Sequence, residues 1–330
     1  MLPFRLKPVY KSYIWGGKNL ITSWGKTPDS DTLAESWELA SHSDGDNIIA
    51  DGELSGLTLS EAVRKYPEIV SPKFNPDDTF PLMVKLIDAA RPLSIQVHPF
   101  TEYAQRVEHS RGKIEAWYIL GHEEGAYIYL GFNRHVTRRE FERAISDGTL
   151  LDMLRKVYVH DGDTFFIPAG TIHAIGAGIT LAEIQENSNI TYRVYDYGRL
   201  GADGKPRELH IAKALDVANT FPLNINPPGH EGNVIVSCGK FHAERIRAPF
   251  SGNTKGCGFS FMMCIEGECK FMCGNFECEM VKGSNIFVPS NCEYDYAFDG
   301  DGEILVTSTV GGAPLAIVKK YIESQKTSQR

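Results

Sequence analysis

The stretch Gly162-Asp-Thr-Phe-Phe-Ile-Pro168-Ala-Gly170-Thr-Ile-His173 returns, 121 positions later, as Gly283-Ser-Asn-Ile-Phe-Val-Pro289-Ser-Asn291-Cys-Glu-Tyr294. Each copy reads as a turn, a short apolar strand, a Pro-bearing turn and a residue re-entering the interior. A run of three or four apolar residues closed by Gly and Pro is too short for a helix and is bounded like a strand. Asn291 in place of Gly170 is expected to share its backbone conformation, because both residue types tolerate positive φ. A weaker likeness upstream sets Glu115-Ala-Trp-Tyr-Ile-Leu-Gly121 against Phe261-Met-Met-Cys-Ile-Glu-Gly267. Repetition on this scale predicts two related β-units. The first copy carries Glu115 and His173 where the second carries Phe261 and Tyr294, so any metal belongs to the first unit alone.

Helical patterns are few. Capping boxes at Thr58-x-x-Glu61 and Thr137-x-x-Glu140 open LSEAVRKY and RREFERAISDGTLLDMLRKV, TEYAQRVEHS reads as another helix, and Leu209 to Ala218 as a further one. The remaining runs are short and β-like, separated by turn pairs such as Asp51-Gly52 and Asp161-Gly162. A length of 330 residues suits two domains. The expected division is 1–220, with a small helical insertion at about 136–157, and 221–330.

Charge and cysteine usage exclude several functions. A net charge of -8 and a pI near 5.7 leave no cationic footprint for a phosphate backbone or an anionic lipid surface. No nucleic-acid or membrane partner is expected. The most apolar long run, 166–184, is interrupted by Pro168, His173 and Glu183, which hydrocarbon does not tolerate. The N-terminus lacks a signal-peptide pattern. All seven cysteines fall between Cys238 and Cys292, and Cys264-x4-Cys269-x3-Cys273-x4-Cys278 lacks the paired C-x2-C of zinc ribbons. They read as reduced thiols filling strand positions in a cytoplasmic protein.

Alternation then gathers polar residues onto common faces. In LSIQVHP it separates Leu93, Ile95 and Val97 from Ser94, Gln96 and His98, and in GKIEAWY it groups Lys113, Glu115 and Trp117 against Ile114, Ala116 and Tyr118. Polar groups on a half-buried face need partners. A divalent metal bound by Gln96, His98, Glu115 and His173 supplies one, and a mixed N/O set with a single carboxylate suits zinc or another first-row ion. Glu102 rivals Glu115, but it sits in a helical pattern. The set leaves a net positive charge that favours an oxyanionic substrate. Glu183 shares a strand face with Leu181 and Gln185, and Arg193 one with Thr191. The pair Glu183 and Arg193 reads equally as an ordinary ion pair or, for Arg193, as an oxyanion clamp.

These motifs carry a resemblance. The G-x5-P-x-G-x2-H turn resembles the second cupin motif, and PLSIQVHP, GKIEAWY and PAGTIHAI together resemble the type I mannose-6-phosphate isomerases. YIWG at 13–16, AESWE at 34–38 and FPLMVKLIDA around Lys85 spread the likeness along nearly the whole chain. The resemblance implies a mainly β chain of two cupin-type jelly-roll barrels with a small helical subdomain. It implies an aldose-ketose isomerase of carbohydrate metabolism that interconverts mannose 6-phosphate and fructose 6-phosphate through an enediol, with one zinc per chain. It places the metal ligands on Gln96, His98, Glu115 and His173, the active-site arginine on Arg193, pocket residues on Lys85, Lys113 and Ser94, and the proton carrier on Glu183. Only 57 residues separate Glu115 from His173, as in the short bacterial forms, and NSNITYRVYDYGR lacks the Asp-Asn pair of the longer enzymes.

For the chemistry, a desolvated carboxylate at Glu183 is the first choice of base for the C2 proton, with Lys113 the second, while Lys113 and Arg193 steady the developing oxyanion. The residues alone leave rivals open: another cupin enzyme, such as a phosphoglucose isomerase or an iron-dependent oxygenase using His98, Glu115 and His173, or a non-catalytic sugar-phosphate-binding paralogue. Monomer and homodimer also stay open.

Overall fold

Strand order repeats as the sequence does. The computed structural model describes residues 1–201, 204–223, 226–227, 229–255 and 258–309. Cys257 and the end of the expected 221–330 unit lie outside these residues. In the first half, a six-stranded sheet runs Thr164–Ile167, Glu115–His122, Ile179–Glu186, Leu82–Ala89, Glu35–Leu39, Val9–Lys11. A five-stranded sheet runs Leu154–Tyr158, Tyr127–Phe132, His173–Ile175, Ile95–Val97, Tyr192–Tyr195. The second half repeats both orders. One sheet runs Asn285–Val288, Ser260–Glu266, Glu303–Thr309, Phe241–Arg247, Val234–Ser237, and the other Phe276–Val281, Glu268–Cys273, Tyr296–Gly300, Phe250–Gly252. The protein is mainly β, of the cupin type, and all these pairings are antiparallel.

The two-residue period of a strand sorts side chains into separate cores. Along Leu82–Ala89, Leu82, Val84 and Leu86 face the second half of the molecule, while Ile87 and Ala89 join Trp117, Ile119, Ile128, Leu130, Phe165 and Leu181 between the first pair of sheets. The outer face of the five-stranded sheet, with Ile95, Val97, Ala174 and Val194, is covered by the helices Arg138–Asp147 and Ile211–Val217. Between the halves lie Phe4, Phe259, Phe261 and Phe287; Phe287 stacks on Phe4 at 5.0 Å and on Phe259 at 4.8 Å. At about 1.5–3 kcal/mol for each fully buried ring, this seam binds the halves together strongly. Leu6 N–H also donates to Asn285 Oδ1 at 2.9 Å, so the N-terminal strand is tied to the second half from the outset.

Four sequence expectations change here. The helix expected to continue beyond residue 147 stops at Gly148, which takes φ +74° as a left-handed cap; a 3-10 turn, Leu150–Met153, and the edge strand Leu154–Tyr158 follow. The insertion is therefore part sheet. Asn291 is not among the positive-φ residues, whereas Gly170 has φ +84°, so the two Pro-bearing turns differ. The upstream repeat is one residue out of step. Ile167 pairs with Glu115, and its counterpart Val288 pairs with Ser260, so Phe261 matches Ala116 and not Glu115. Similarly, His173 pairs with Gln96 where Tyr296 pairs with Gly252, which makes Tyr296 and not the exposed Tyr294 the counterpart of His173.

Six of the seven cysteines lie in the described residues, all as free thiols and all but Cys278 buried. Among the described residues no helix is long and apolar enough to cross a membrane.

Candidate active site

The polar faces expected from alternation meet between the first two sheets. Ile95 and Val97 pack towards the helices, which turns Ser94, Gln96 and His98 the other way. Gly170 makes the return to His173 possible: besides its positive φ, a Cβ there would sit 2.7 Å from the Val217 carbonyl oxygen. Through this turn His98, Glu115 and His173 converge, all buried, with their ligand atoms within 4.8 Å of one another. Glu102 is exposed on the helix Thr101–Glu108 and takes no part.

This trio fits a metal ion on chemical grounds. His98 Nδ1 lies 2.8 Å from the Ile190 carbonyl and His173 Nδ1 lies 2.8 Å from the Thr171 carbonyl. An Nδ1–H donated to a carbonyl fixes the tautomer that leaves Nε2 bare. Both Nε2 atoms lie 3.3 Å from Glu115 oxygens, and neither His98 Nε2 nor either Glu115 oxygen has an aligned hydrogen bond. Burial pushes the His173 imidazole down to about 3, which holds it neutral as a ligand must be. Burial alone would raise Glu115, but Lys113, 2.8 Å away, and then His98 and His173 outweigh it and hold its carboxyl well below the usual range. Gln96 turns its amide nitrogen to His173 at 3.3 Å, so ligation by Oε1 requires the amide to flip.

Beside the trio lies a ladder of charge. Glu183 stands opposite both Lys85 and Trp117 in the strand register. Its Oε1 lies 3.4 Å from Lys85 Nζ and 3.4 Å from Lys113 Nζ, while Oε2 accepts from the Trp117 indole N–H at 3.1 Å. Lys85 also meets Glu35 at 3.4 Å, and Glu35 accepts from Trp37 Nε1 at 2.6 Å. Burial disfavours the Lys85 ammonium, but Glu35, Glu183 and Glu115 more than compensate and raise its pKa. The ion pair between Glu183 and Arg193 offered by the sequence does not form. Instead Arg193 donates from Nε to Ser94 Oγ at 3.3 Å and from Nη1 to the Glu208 carbonyl at 2.9 Å.

A cavity of about 260 Å³ runs past these groups, lined by Lys85, Ser94, Gln96, Lys113, Glu183 and Arg193 together with Trp15, Glu35 and Arg207. Apart from Glu102, every candidate site residue named from the sequence thus lies in or beside one pocket. Glu35 and Trp15 stood within the matching segments AESWE and YIWG but carried no chemical pattern of their own. Arg207 had no signal at all.

Comparison with known proteins supplies the family. The family model "Phosphomannose isomerase type I, catalytic domain" matches residues 3–123. Mannose-6-phosphate isomerase ManA of Bacillus subtilis is 34% identical over 92% of this chain and 98% of its own length. The chain belongs to the type I phosphomannose isomerase family. The mannose-6-phosphate isomerase of Streptococcus mutans is 32% identical over the same shares of both chains. In structure, the B. subtilis mannose 6-phosphate isomerase superposes with a TM-score of 0.86 at 30% identity, covering 93% of this chain and 99% of that one. A phosphomannose isomerase from Salmonella typhimurium, at 15% identity and TM-score 0.76 over 94% and 100%, shares the fold. The chain is an isomerase of this family, and its buried His-Glu-His cluster is of a kind that can hold a metal ion.

Proposed function

We propose that the protein interconverts mannose 6-phosphate and fructose 6-phosphate through an enediol, with one zinc held by Gln96, His98, Glu115 and His173. The observation that carries this reading is a single pocket in which a buried His-Glu-His set, with no aligned hydrogen bond at His98 Nε2 or at either Glu115 oxygen, lies next to a lysine-flanked carboxylate. Zinc bound there supplies Lewis acidity that polarises the sugar's carbonyl oxygen. Glu183 takes the proton from C2 of the aldose at Oε1 and returns it to C1, its other oxygen being held by Trp117. Lys113, between Glu115 and Glu183, places fixed positive charge beside the forming enediolate, and Lys85 keeps Glu183 in position. Arg193 faces the same cavity and steadies substrate oxygens. Ser94 orients Arg193.

We further assign catalysis to 1–220, and to 221–330 a metal-free supporting role. At the register positions of Gln96, Glu115 and His173 the second unit carries Gly252, Ser260 and Tyr296, none a usual zinc ligand. A cytoplasmic location accords with the free thiols.

An assay that couples fructose 6-phosphate formation to a reporter enzyme tests the proposal. Zinc-loaded protein should convert mannose 6-phosphate, lose activity with a chelator and regain it with zinc. Absence of product, or activity that survives complete metal removal, overturns it.

A further inference from the structure

The pocket is electrically lopsided. At its inner end Lys85 and Lys113 face three carboxylates, Glu35, Glu115 and Glu183, all buried or nearly so, so neither lysine is a free cation. The outer end is the reverse. From the trio the wall leads through Gln96, whose Oε1 accepts from Ser94 Oγ at 3.4 Å, to Arg193, which donates to that same Oγ. Arg207 comes next, lining the cavity and depressing the Arg193 pKa together with burial, the larger cause. Arg193, Arg199 and Arg207 there share one buried carboxylate, Asp196.

The arginines are not equivalent. Arg199 is used up by the fold: Nη1 donates to the Pro92 carbonyl at 2.5 Å, Nε to the Asp196 carbonyl at 3.3 Å and Nη2 to Asp196 Oδ1 at 2.5 Å. Arg207 is gripped on one edge only, with Nε to Asp196 Oδ2 at 2.7 Å and Nη2 to Oδ1 at 2.5 Å. Among the described residues no hydrogen bond engages its Nη1. A guanidinium offers five N–H donors in a rigid fork, so the bidentate grip of Asp196 aims the remaining donors without using them.

We propose that Arg207, aimed by Asp196, is the anchor for the phosphate of the substrate and so sets the preference for a phosphorylated over a free hexose. The dianion lies against the outer end, where three arginines share one carboxylate, and this points C1 and C2 towards Glu183 and the His-Glu-His trio. This rests on the isomerase reading above and adds to it the polarity of the bound sugar. The anchor binds ground state and transition state alike, far from the reacting carbons, so its loss acts on KM.

The test compares Arg207→Ala and Arg207→Lys with the unmodified enzyme, using kinetics with mannose 6-phosphate and calorimetry with inorganic phosphate as probe. Loss of a charge-assisted hydrogen bond is expected to raise KM and the phosphate Kd by roughly 10- to 100-fold in Arg207→Ala, with kcat changed far less. Arg207→Lys, which keeps the charge and loses the fork, should recover part of both. Unchanged phosphate affinity and KM in Arg207→Ala, or a fall in kcat alone, overturns the assignment. If the unmodified enzyme does not isomerise mannose 6-phosphate, the isomerase reading fails, while the phosphate calorimetry still decides whether Arg207 is an anion anchor.

Discussion

Trp117 and Glu183 occupy the same ladder position of two adjacent antiparallel strands, and the indole N–H of one holds a carboxylate oxygen of the other at 3.1 Å. Both side chains are buried. The bond leaves Glu183 one oxygen for proton transfer and removes its freedom to rotate. Trp117→Phe keeps the ring and deletes the donor. We expect it to lower kcat about tenfold, the cost of one unsatisfied buried acceptor, while metal content stays unchanged. Steady-state kinetics with metal analysis checks this; equal kcat values would reduce Trp117 to a packing residue.

Metal analysis tests the trio. Protein purified without added zinc should carry about one zinc per chain, a structural expectation for a single mixed His and carboxylate site. His173→Ala should bring this near zero. The competing site is the thiol-rich second unit, where Cys273 Sγ lies 3.5 Å from Cys292 Sγ. An equivalent of zinc that persists in His173→Ala would assign the ion to those thiols.

Arg193 should act on the transition state where Arg207 acts on binding. Arg193→Ala is expected to lower kcat by about two orders of magnitude, as for loss of an oxyanion donor, with zinc content near normal. A raised KM with kcat intact would move Arg193 into the phosphate anchor.

Acid stability should depend on Asp196. Burial alone would raise its pKa, but the hydrogen bonds from Arg207 and Arg199 prevail and lower it. A folded-state pKa below the unfolded value of about 3.9 means that the unfolded chain binds more protons between the two. The stabilisation is therefore complete above that unfolded value and is lost as pH falls through the folded one. Asp196→Asn should be less stable near neutrality yet lose less stability on acidification below about pH 4. Denaturant midpoints across that range check it; parallel profiles for the two proteins would show that the Asp196 grip contributes nothing.

Local pattern went far in this chain because its site is built on strands. A strand's strict alternation puts Gln96 and His98 on one face and Lys113, Glu115 and Trp117 on another without any knowledge of the partner strand. The capping box at Thr58 and Glu61 and the turn at Gly170 were equally legible, since each is closed by residues a few positions apart. Register was not. The offset between Phe261 and Glu115 is one residue, and composition barely registers such a slip, yet it moves a side chain from the sheet interior to the opposite face.

The sequence by itself determined that the chain is mainly β and repeated, that one unit carries a His-Glu-His set, and that this set shares a face with lysine and glutamate. Only the tertiary structure decided which charges neutralise one another. Lys85 and Lys113 are cations along the chain, but carboxylates from three different strands, Glu35, Glu183 and Glu115, pair with them, whereas Arg193, Arg199 and Arg207 have one buried carboxylate between them, Asp196. The reason is physical. Alternation is a property of each strand alone, whereas an ion pair between residues 85 and 183, or 196 and 207, depends on which strands and loops the fold brings within a few ångströms of each other.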